Sequence, residues 1–187
     1  ESNIPHIEDW NLPASAAIRE AVNIPVIALG RIEPDSAERT IASGKSDFIA
    51  MGRKLLADPH LPNKLLRGAE DTVRPCIYCY TCVSAIYGGT HTRCAVNADL
   101  SFEYQRPVAK AALKRILVIG GGPGGMESAR RLADLGHDVT LVEKSDRLGG
   151  TLRFAALAYE PNERLLNWLK RGIEESSVDV RLNTEAT

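Results

Sequence analysis

All cysteines of the sequence lie in one short stretch, CIYCYTCVSAIYGGTHTRC, which runs from Cys76 to Cys94. Three thiols follow the spacing C-x2-C-x2-C, and the fourth comes after eleven further residues. A tight loop could present the first three thiols, and a returning segment could supply the last. An iron–sulfur cubane requires four thiolates. The stretch therefore predicts one isolated 4Fe–4S cluster bound by Cys76, Cys79, Cys82 and Cys94.

Two other uses of these cysteines stay open. A structural zinc site is one, although zinc ribbons usually carry two well-separated C-x2-C pairs. Disulfides or free thiols are the other. The sequence shows no basic and apolar leader with a small-residue cleavage site, so we expect a cytoplasmic protein. In a reducing compartment thiolates bind metal more readily than they form disulfides.

A second stretch that could do chemistry is glycine-rich and begins at Gly120. It fits G-x-G-x-x-G between a predicted strand over 116–119 and a helix-like run that ends near Gly136. The next predicted strand ends in Glu143, where a carboxylate would accept the ribose hydroxyls of a dinucleotide. Backbone N–H groups at the helix start would bind the pyrophosphate, although a glycine-rich turn without a ligand is the alternative. The residues assigned to this site are Gly120, Gly122, Pro123, Gly124, Gly125 and Glu143.

Near the start of the sequence, two apolar runs each end in Gly-Arg, at Gly30-Arg31 and, twenty-two residues later, at Gly52-Arg53. Continuous apolar strands predict a parallel sheet that is covered on both faces. The ends of the last two strands of a (β/α)8 barrel commonly bind phosphate, for which glycine gives backbone access and arginine a forked cation. Alternatively, each glycine only ends a strand and each arginine is solvated. The predicted elements are helices over 14–21 and 34–42, and strands over 24–29 and 46–51.

Composition excludes some classes of function. The 187 residues are 44% hydrophobic and 25% charged, and their net charge is -1. These values are typical of a globular chain with one large or two small domains. Such a charge gives no general attraction to nucleic acid or acidic lipid, and no apolar run approaches the roughly 20 residues that span a bilayer. We therefore expect neither nucleic acid nor membrane as a partner, and the ends at Glu1 and Thr187 suggest an internal piece of a longer protein.

The runs VIALGRI and SDFIAMGRKLLADPHLPNKL, followed by the cysteine stretch, resemble the old yellow enzyme family in its long iron–sulfur form. 2,4-Dienoyl-CoA reductase and trimethylamine dehydrogenase typify this form, and the resemblance covers nearly the whole chain. It implies that both Gly-Arg sites hold the phosphate of FMN. It also implies that the stretch EKSDRLGGT, which includes Lys144 and Thr151, crosses near a bound FAD. The family's proton-donating residues lie in early barrel strands that have no counterpart here, so no catalytic residue is assigned.

The resemblance implies an α/β fold in three parts. Residues 1–72 would be the last βα units of an FMN-binding TIM barrel, residues 73–112 the 4Fe–4S segment and a linker, and residues 113–187 the first half of a Rossmann-like FAD/NAD(P)-binding domain. The linker is expected over 101–111, and a helix over 162–174 and a strand over 178–182 are expected near the end of the chain.

The implied function is transfer of electrons from NAD(P)H, whose site lies outside this chain, through FAD and the cluster to FMN. Reduced FMN would then reduce an activated C=C bond of an enoate or a 2,4-dienoyl-CoA. An amine dehydrogenase that uses FMN and a 4Fe–4S cluster is the alternative, and the spacing of the second and third cysteines resembles that form. A zinc-stapled nucleotide-binding module is a second alternative. The expected partners are a small-molecule substrate, the rest of the parent chain and a second copy of the protein.

Overall fold

The computed structural model describes residues 7–105 and 112–186. It divides into two units, Glu1–Leu55 and Leu56–Thr187, and each contains parallel strands that alternate with helices. The predicted α/β class therefore holds for both units. Residues 106–111 of the predicted linker lie outside the described residues. Among the described helices, none has the length and apolar character needed to cross a membrane.

The first unit contains two parallel strands. β1 (Ile27–Leu29) pairs with β2 (Phe48–Ala50), as predicted. β1 begins later than expected because Pro25 has no N–H for a ladder, and the Val26 N–H donates to the Asp47 carboxylate instead (2.8 Å). The helices of this unit are α1 (Leu12–Ala21), α2 (Pro34–Ala42) and α3 (Gly52–Ala57), and α3 continues into the second unit.

Only one face of this sheet is covered within the unit. Ala28 is fully buried and packs with Ile32 and Ala37. On the opposite face, Ile27 and Phe48 are 59% and 57% exposed. Successive side chains of a strand point to opposite faces of the sheet. The first and last residues of each three-residue strand therefore lie on the face opposite to the buried Ala28. The expectation of a sheet covered on both faces is thus not met within the described chain.

The second unit is built around three parallel strands in the order β3, β4, β5. Met126 and Ala129 on one helix pack with Val139 and Leu141 of the sheet, together with four apolar residues of the longest helix. That longest helix and the strand after it confirm the elements expected near the end of the chain. The strands are β3 (Arg115–Ile119), β4 (Asp138–Val142) and β5 (Asp179–Arg181), and the helices are α4 (Leu61–Leu65), α5 (Thr81–Tyr87), α6 (Pro123–Asp134), α7 (Leu152–Ala158) and α8 (Glu160–Glu174).

A buried carboxylate anchors the segment that leads to the cysteines. Asp58 is 4% exposed. Its oxygens accept hydrogen bonds from Lys64 Nζ (2.6 Å), from the Arg74 N–H (2.8 Å) and from the His60 N–H (3.0 Å). Burial raises the pKa of Asp58, but the Lys64 ammonium and these two N–H groups together lower it by more than burial raises it. The net pKa of Asp58 therefore lies below the usual 3.8. Three parts of the segment 58–74 therefore meet at one ionised side chain.

Replacement of the Asp58 carboxylate by an amide should destabilise the folded protein. Asp58→Asn should lower the free energy of unfolding by about 1.5–3 kcal/mol, because hydrogen bonds to a charged group are lost in a buried place. The depressed pKa means that the stabilisation is present above pH 3.8 and is lost as the pH falls through the lower folded-state value. Urea unfolding followed by tryptophan fluorescence would measure both effects.

Asp179→Asn is the matched control, because the Asp179 side chain is 52% exposed in its ion pair with Arg181. This change should cost less than about 0.5 kcal/mol. Equal losses in the two variants would show that Asp58 does not anchor the segment.

Candidate functional site

Both Gly-Arg pairs lie at the same edge of the β1–β2 sheet. Leu29 and Ala50 are paired in register, so Gly30-Arg31 directly follows one strand and Gly52-Arg53 follows the adjacent parallel strand after Met51. The structure thus brings the two predicted phosphate-binding pairs to one edge. The carboxyl ends of parallel strands are where open α/β sheets and barrels bind ligands.

The two glycines of this edge differ in their surroundings. Gly30 has φ +130°, and a Cβ there would lie 2.9 Å from Asn11 Cβ and 3.1 Å from Trp10 Nε1, so packing alone requires a glycine. At Gly52, which opens α3, no described atom lies within 4 Å of an added Cβ. Packing within the described residues does not explain this second glycine. Its open surroundings fit the predicted approach of a ligand to the backbone.

The cysteine stretch is only partly the loop that the spacing predicted. Cys76 and Cys79 precede α5, whereas Cys82 lies on α5 and is buried; Cys94 follows the turn at Gly88 and Gly89. The expected tight loop is therefore corrected to an irregular stretch followed by a seven-residue helix. The run after Tyr80 contains no proline and ends at two glycines, so it can form about two helical turns.

The backbone around Cys79 is held in an unusual conformation. Tyr78 and Tyr80 both have positive φ angles, 51° and 60°. A side chain other than glycine costs roughly 1–2 kcal/mol in this left-handed region. Concave backbones that mix left-handed and right-handed residues direct N–H groups at anions and are found at iron–sulfur sites. The conformation thus fits a stretch that wraps around a negatively charged cluster.

All four thiols are free of disulfides. Within the described residues, which include every cysteine, no group of three or more His, Cys, Asp or Glu side chains is arranged to hold a metal ion. The structure therefore places the four predicted ligands in one segment without gathering their sulfur atoms. The donor set itself is soft and all-thiolate, which suits an iron–sulfur cluster or zinc.

The glycine-rich stretch has the predicted context of strand, turn and helix. Gly120 follows β3 with φ +97°, Gly122 is the N-cap of α6, and Pro123 is its first residue. A Cβ added at Gly125 would overlap the carbonyl oxygen of Gly120. The absence of a side chain at Gly125 thus allows α6 to approach the end of β3 closely, while the start of α6 keeps its N–H groups available for a phosphate.

Glu143 closes this loop from the neighbouring strand. Its Oε2 accepts the Gly121 N–H (2.7 Å), and its Oε1 accepts the N–H and the hydroxyl of Ser145 (both 2.8 Å). The Ser145 N–H contributes most to holding the pKa of Glu143 below the usual 4.5, followed by the Gly121 N–H and the Ser145 hydroxyl. The carboxylate is ionised at neutral pH, and Oε2 retains a lone pair for a further donor.

The stretch after Glu143 returns to the glycine loop, as the sequence suggested. The Gly149 N–H donates to the Gly121 carbonyl (2.7 Å), and an added Cβ at Gly150 would lie 3.1 Å from Gly122 Cα. Lys144 is exposed, and Thr151 is the exposed N-cap of α7. Two loops that are separated in sequence therefore form one rim beside the start of α6.

A set of polar residues around Arg74 was not predicted from the sequence. This side chain is 14% exposed and contacts Asn97, Glu127 and the ring of Trp168. Burial lowers the pKa of Arg74, whereas the Glu127 carboxylate opposes that change. An arginine directly before a Pro-Cys step was the available signal, but nothing in the sequence indicated its distant partners.

A glycine-loop α/β unit preceded by a four-cysteine segment is typical of nucleotide-binding redox proteins, and comparison with known families specifies the class. Residues 6–72 match the NADH:flavin oxidoreductase / NADH oxidase family. Residues 48–187 match the pyridine nucleotide-disulphide oxidoreductase family. The two matches together cover the chain from residue 6 onward.

Individual relatives agree with these matches. Cinnamate reductase of Clostridium sporogenes is 37% identical over 94% of this chain, and bilirubin reductase of Mediterraneibacter gnavus is 40% identical over 90%. The solved structure of histamine dehydrogenase from Rhizobium sp. 4-9 superimposes with a TM-score of 0.90 over 96% of this chain, at 30% identity. The chain spans 27% of the length of each reductase and 28% of the dehydrogenase chain.

The chain belongs to the old yellow enzyme family in its long form, in which an NADH:flavin oxidoreductase part is joined to a pyridine nucleotide oxidoreductase part. This confirms the family that the sequence suggested. The matches support FMN, FAD, NADH and an iron–sulfur cluster as the family's cofactors. They also place the α/β fold among TIM-barrel flavoenzymes that carry a pyridine nucleotide oxidoreductase domain.

Two neighbouring glycines give a matched pair of variants. Gly125→Ala should destabilise the apoprotein by about 1–3 kcal/mol, because the new methyl group overlaps the Gly120 carbonyl. Gly124→Ala should leave stability unchanged or raise it by up to about 1 kcal/mol, since its Cβ meets no described atom within 4 Å. Urea unfolding followed by far-UV circular dichroism would separate them. Indistinguishable midpoints would refute the close approach of α6 to β3.

Removal of the Glu143 carboxylate should weaken FAD retention. In the holoprotein, Glu143→Ala should cost on the order of 1.5–3 kcal/mol of FAD binding, while FMN and iron contents stay unchanged. Because the pKa of Glu143 is depressed, its contribution should be full above pH 4.5 and decline only as the pH falls through the lower folded-state value. Flavin that remains after gel filtration would be identified by chromatography.

Glu174→Ala, at an exposed acid near the end of α8, serves as the control for this measurement. Full FAD occupancy in Glu143→Ala would show that the carboxylate does not bind the cofactor.

Proposed function

We propose that this chain carries the FMN phosphate site, the 4Fe–4S segment and the FAD pyrophosphate site of an NAD(P)H-dependent reductase of activated C=C bonds. In this proposal, the first unit is the end of a TIM barrel and the β3–β5 sheet is the first half of a Rossmann-like domain. The observation that carries it is the attachment of both ends of the cysteine segment to α6, the helix that the glycine loop opens. A segment of four thiols held against the helix that begins at the proposed dinucleotide site is suited to relay electrons.

The sheet edge of the first unit would bind the phosphate of FMN. Gly30 and Gly52 would bring backbone N–H groups to the phosphate, and Arg31 and Arg53 would supply forked cations. The parallel register that brings the two Gly-Arg pairs to one edge supports this assignment.

The start of α6 would bind the pyrophosphate of FAD. Gly120, Gly122, Gly124 and Gly125 shape the turn there, Pro123 starts the helix, and Glu143 would accept the ribose hydroxyls through the free acceptor capacity of Oε2. Lys144 and Thr151 lie on the adjoining loop and would face the bound nucleotide. The return of Gly149 to Gly121 supports this arrangement.

Cys76, Cys79, Cys82 and Cys94 would hold the cluster. When bound, a 4Fe–4S cluster supplies reversible one-electron transfer. Four thiolates would complete its coordination, so no position is left for a substrate. The residues of this segment would bind and shield the cluster, and none of them would act as a proton donor.

An amine dehydrogenase is the second candidate, because histamine dehydrogenase has the same fold over most of this chain. Reduction of an enoate by NADH would favour the first candidate, and oxidation of a methylamine the second. A zinc-stapled nucleotide-binding module would instead contain zinc and no acid-labile sulfide.

A small-molecule substrate, further parts of the parent protein and a second copy are proposed as partners, and neither nucleic acid nor membrane is expected. A cytoplasmic location is proposed because thiolates that bind a metal group suit a reducing compartment.

Replacement of one cysteine tests the proposed relay. Cys82→Ala should remove the cluster from the holoprotein, while FAD remains reducible by NAD(P)H and transfer of electrons to FMN collapses. Chemically reduced FMN should still reduce the alkene, since that step requires only the barrel. Absorption spectroscopy, flavin extraction and iron and sulfide analysis would establish the contents, and stopped-flow absorption the transfer.

Ser84→Ala, on the same helix, is the control for Cys82→Ala. Rapid reduction of FMN by NAD(P)H in a variant that lacks iron would refute the relay and leave the metal a structural role.

A further inference from the structure

Arg74 lies two residues before Cys76 and contacts three separate parts of the second unit. Its Nη1 donates to Asn97 Oδ1 (3.0 Å), its Nη2 donates to Glu127 Oε1 (3.4 Å), and its guanidinium lies 4.9 Å from the centre of the Trp168 ring. Asn97 comes three residues after Cys94, Glu127 lies on α6, and Trp168 lies on α8. One side chain thus joins both ends of the cysteine segment to two helices.

Neighbouring contacts fix the same two chain ends. The Asn97 amide donates to the Leu56 carbonyl (2.9 Å), Asp99 forms an ion pair with Arg131 of α6, and the Trp168 N–H donates to the Thr72 carbonyl (3.0 Å). These contacts reach residues on either side of the cysteine segment. These contacts hold the cysteine segment against α6 and α8 next to the Arg74 guanidinium.

Apolar contacts complete the attachment. Ile77 and Val96 pack against the core of the second unit, which includes Met126 and Ala129 of α6. Ile77 follows the first cysteine directly, and Val96 comes two residues after the last. Between these anchors, the middle of the segment carries exposed residues such as Ile86 and Tyr87, which are 60% and 86% exposed. The ends of the segment are therefore fixed, Cys82 in its middle is buried, and the exposed part is the end of α5.

We infer that Arg74 is a positioning residue for the cluster-binding segment: it holds the two chain ends that carry Cys76 and Cys94 at a fixed place on the flank of α6. This inference rests on the proposed function only for the identity of the metal group. Asn97 and Glu127 accept hydrogen bonds from Nη1 and Nη2 of the guanidinium, and the Trp168 ring lies against its face. A lysine ammonium is a compact point charge without a planar fork, so it cannot satisfy all three.

The test compares Arg74→Lys and Arg74→Gln in the holoprotein with Arg181→Lys, which alters an exposed arginine at the end of the chain. Three readouts are used: the rate of iron release to a chelator, hydrogen exchange over residues 76–94, and the electron paramagnetic resonance spectrum of the reduced protein. FAD content is measured in parallel.

Arg74→Lys should still assemble the metal site and bind FAD. Iron release should accelerate on the order of tenfold, because loss of a residue that orients metal ligands typically weakens metal binding by about 10–100-fold. Exchange over 76–94 should rise while exchange in β3 and β4 stays at the wild-type level, and the resonance spectrum should change its line shape. Arg181→Lys should match the wild type in every readout.

Wild-type release, exchange and spectrum in Arg74→Lys would overturn the inference. A parallel loss of protection in β3 and β4 would also overturn it, because the residue would then stabilise the whole unit rather than position the segment. If Arg74→Gln fails to fold, the lysine variant alone decides the result. Absence of iron and sulfide from the wild type would refute the proposed function, and the exchange data would still test Arg74.

Discussion

The close approach of α6 to the end of β3 is the constraint on which the second unit depends. It exists because Gly125 carries no side chain next to the Gly120 carbonyl. This contact sets the height of α6 over the sheet, and α6 in turn carries Met126 and Ala129 into the core. The same helix presents N–H groups at one end and Glu127 and Arg131 along its flank. The glycine loop and the attachment of the cysteine segment therefore share one helix.

Charged groups inside this unit are stabilised by hydrogen bonds and by groups of opposite charge, although Arg74 Nε has no hydrogen-bond partner within the described residues. Asp58 would be costly to bury alone, but a lysine and two backbone N–H groups surround it. Arg74 is likewise compensated by Glu127 and by the face of Trp168. Such pairs add little net stability compared with apolar packing, although removal of one partner is costly. Their contribution is geometric, since each fixes segments that come together from distant parts of the sequence.

Much of the architecture could be predicted from the sequence, because local patterns encode it. Strand periodicity and the glycine loop located β3, α6 and β4, and Pro34 marked the start of α2. The helix that carries Cys82 was missed because the cysteine spacing dominated the interpretation of a short segment. The contacts of Arg74 could not be foreseen, since residues 74, 127 and 168 meet only through the tertiary fold. The role of each ligand residue stays a prediction, as packing alone does not reveal what a site binds.

The hydrogen bond between Glu143 and the Gly121 N–H has a consequence for selectivity. Because the carboxylate already orders the loop in the protein alone, an entering nucleotide loses little binding free energy to loop ordering. The same carboxylate carries a negative charge where the ribose hydroxyls of an adenosine would lie. A phosphate group on the 2′-oxygen would meet electrostatic repulsion there, whereas a free hydroxyl would find an acceptor. In the proposed site, Glu143 would thus favour nucleotides with an unmodified adenosine ribose over their 2′-phosphorylated counterparts.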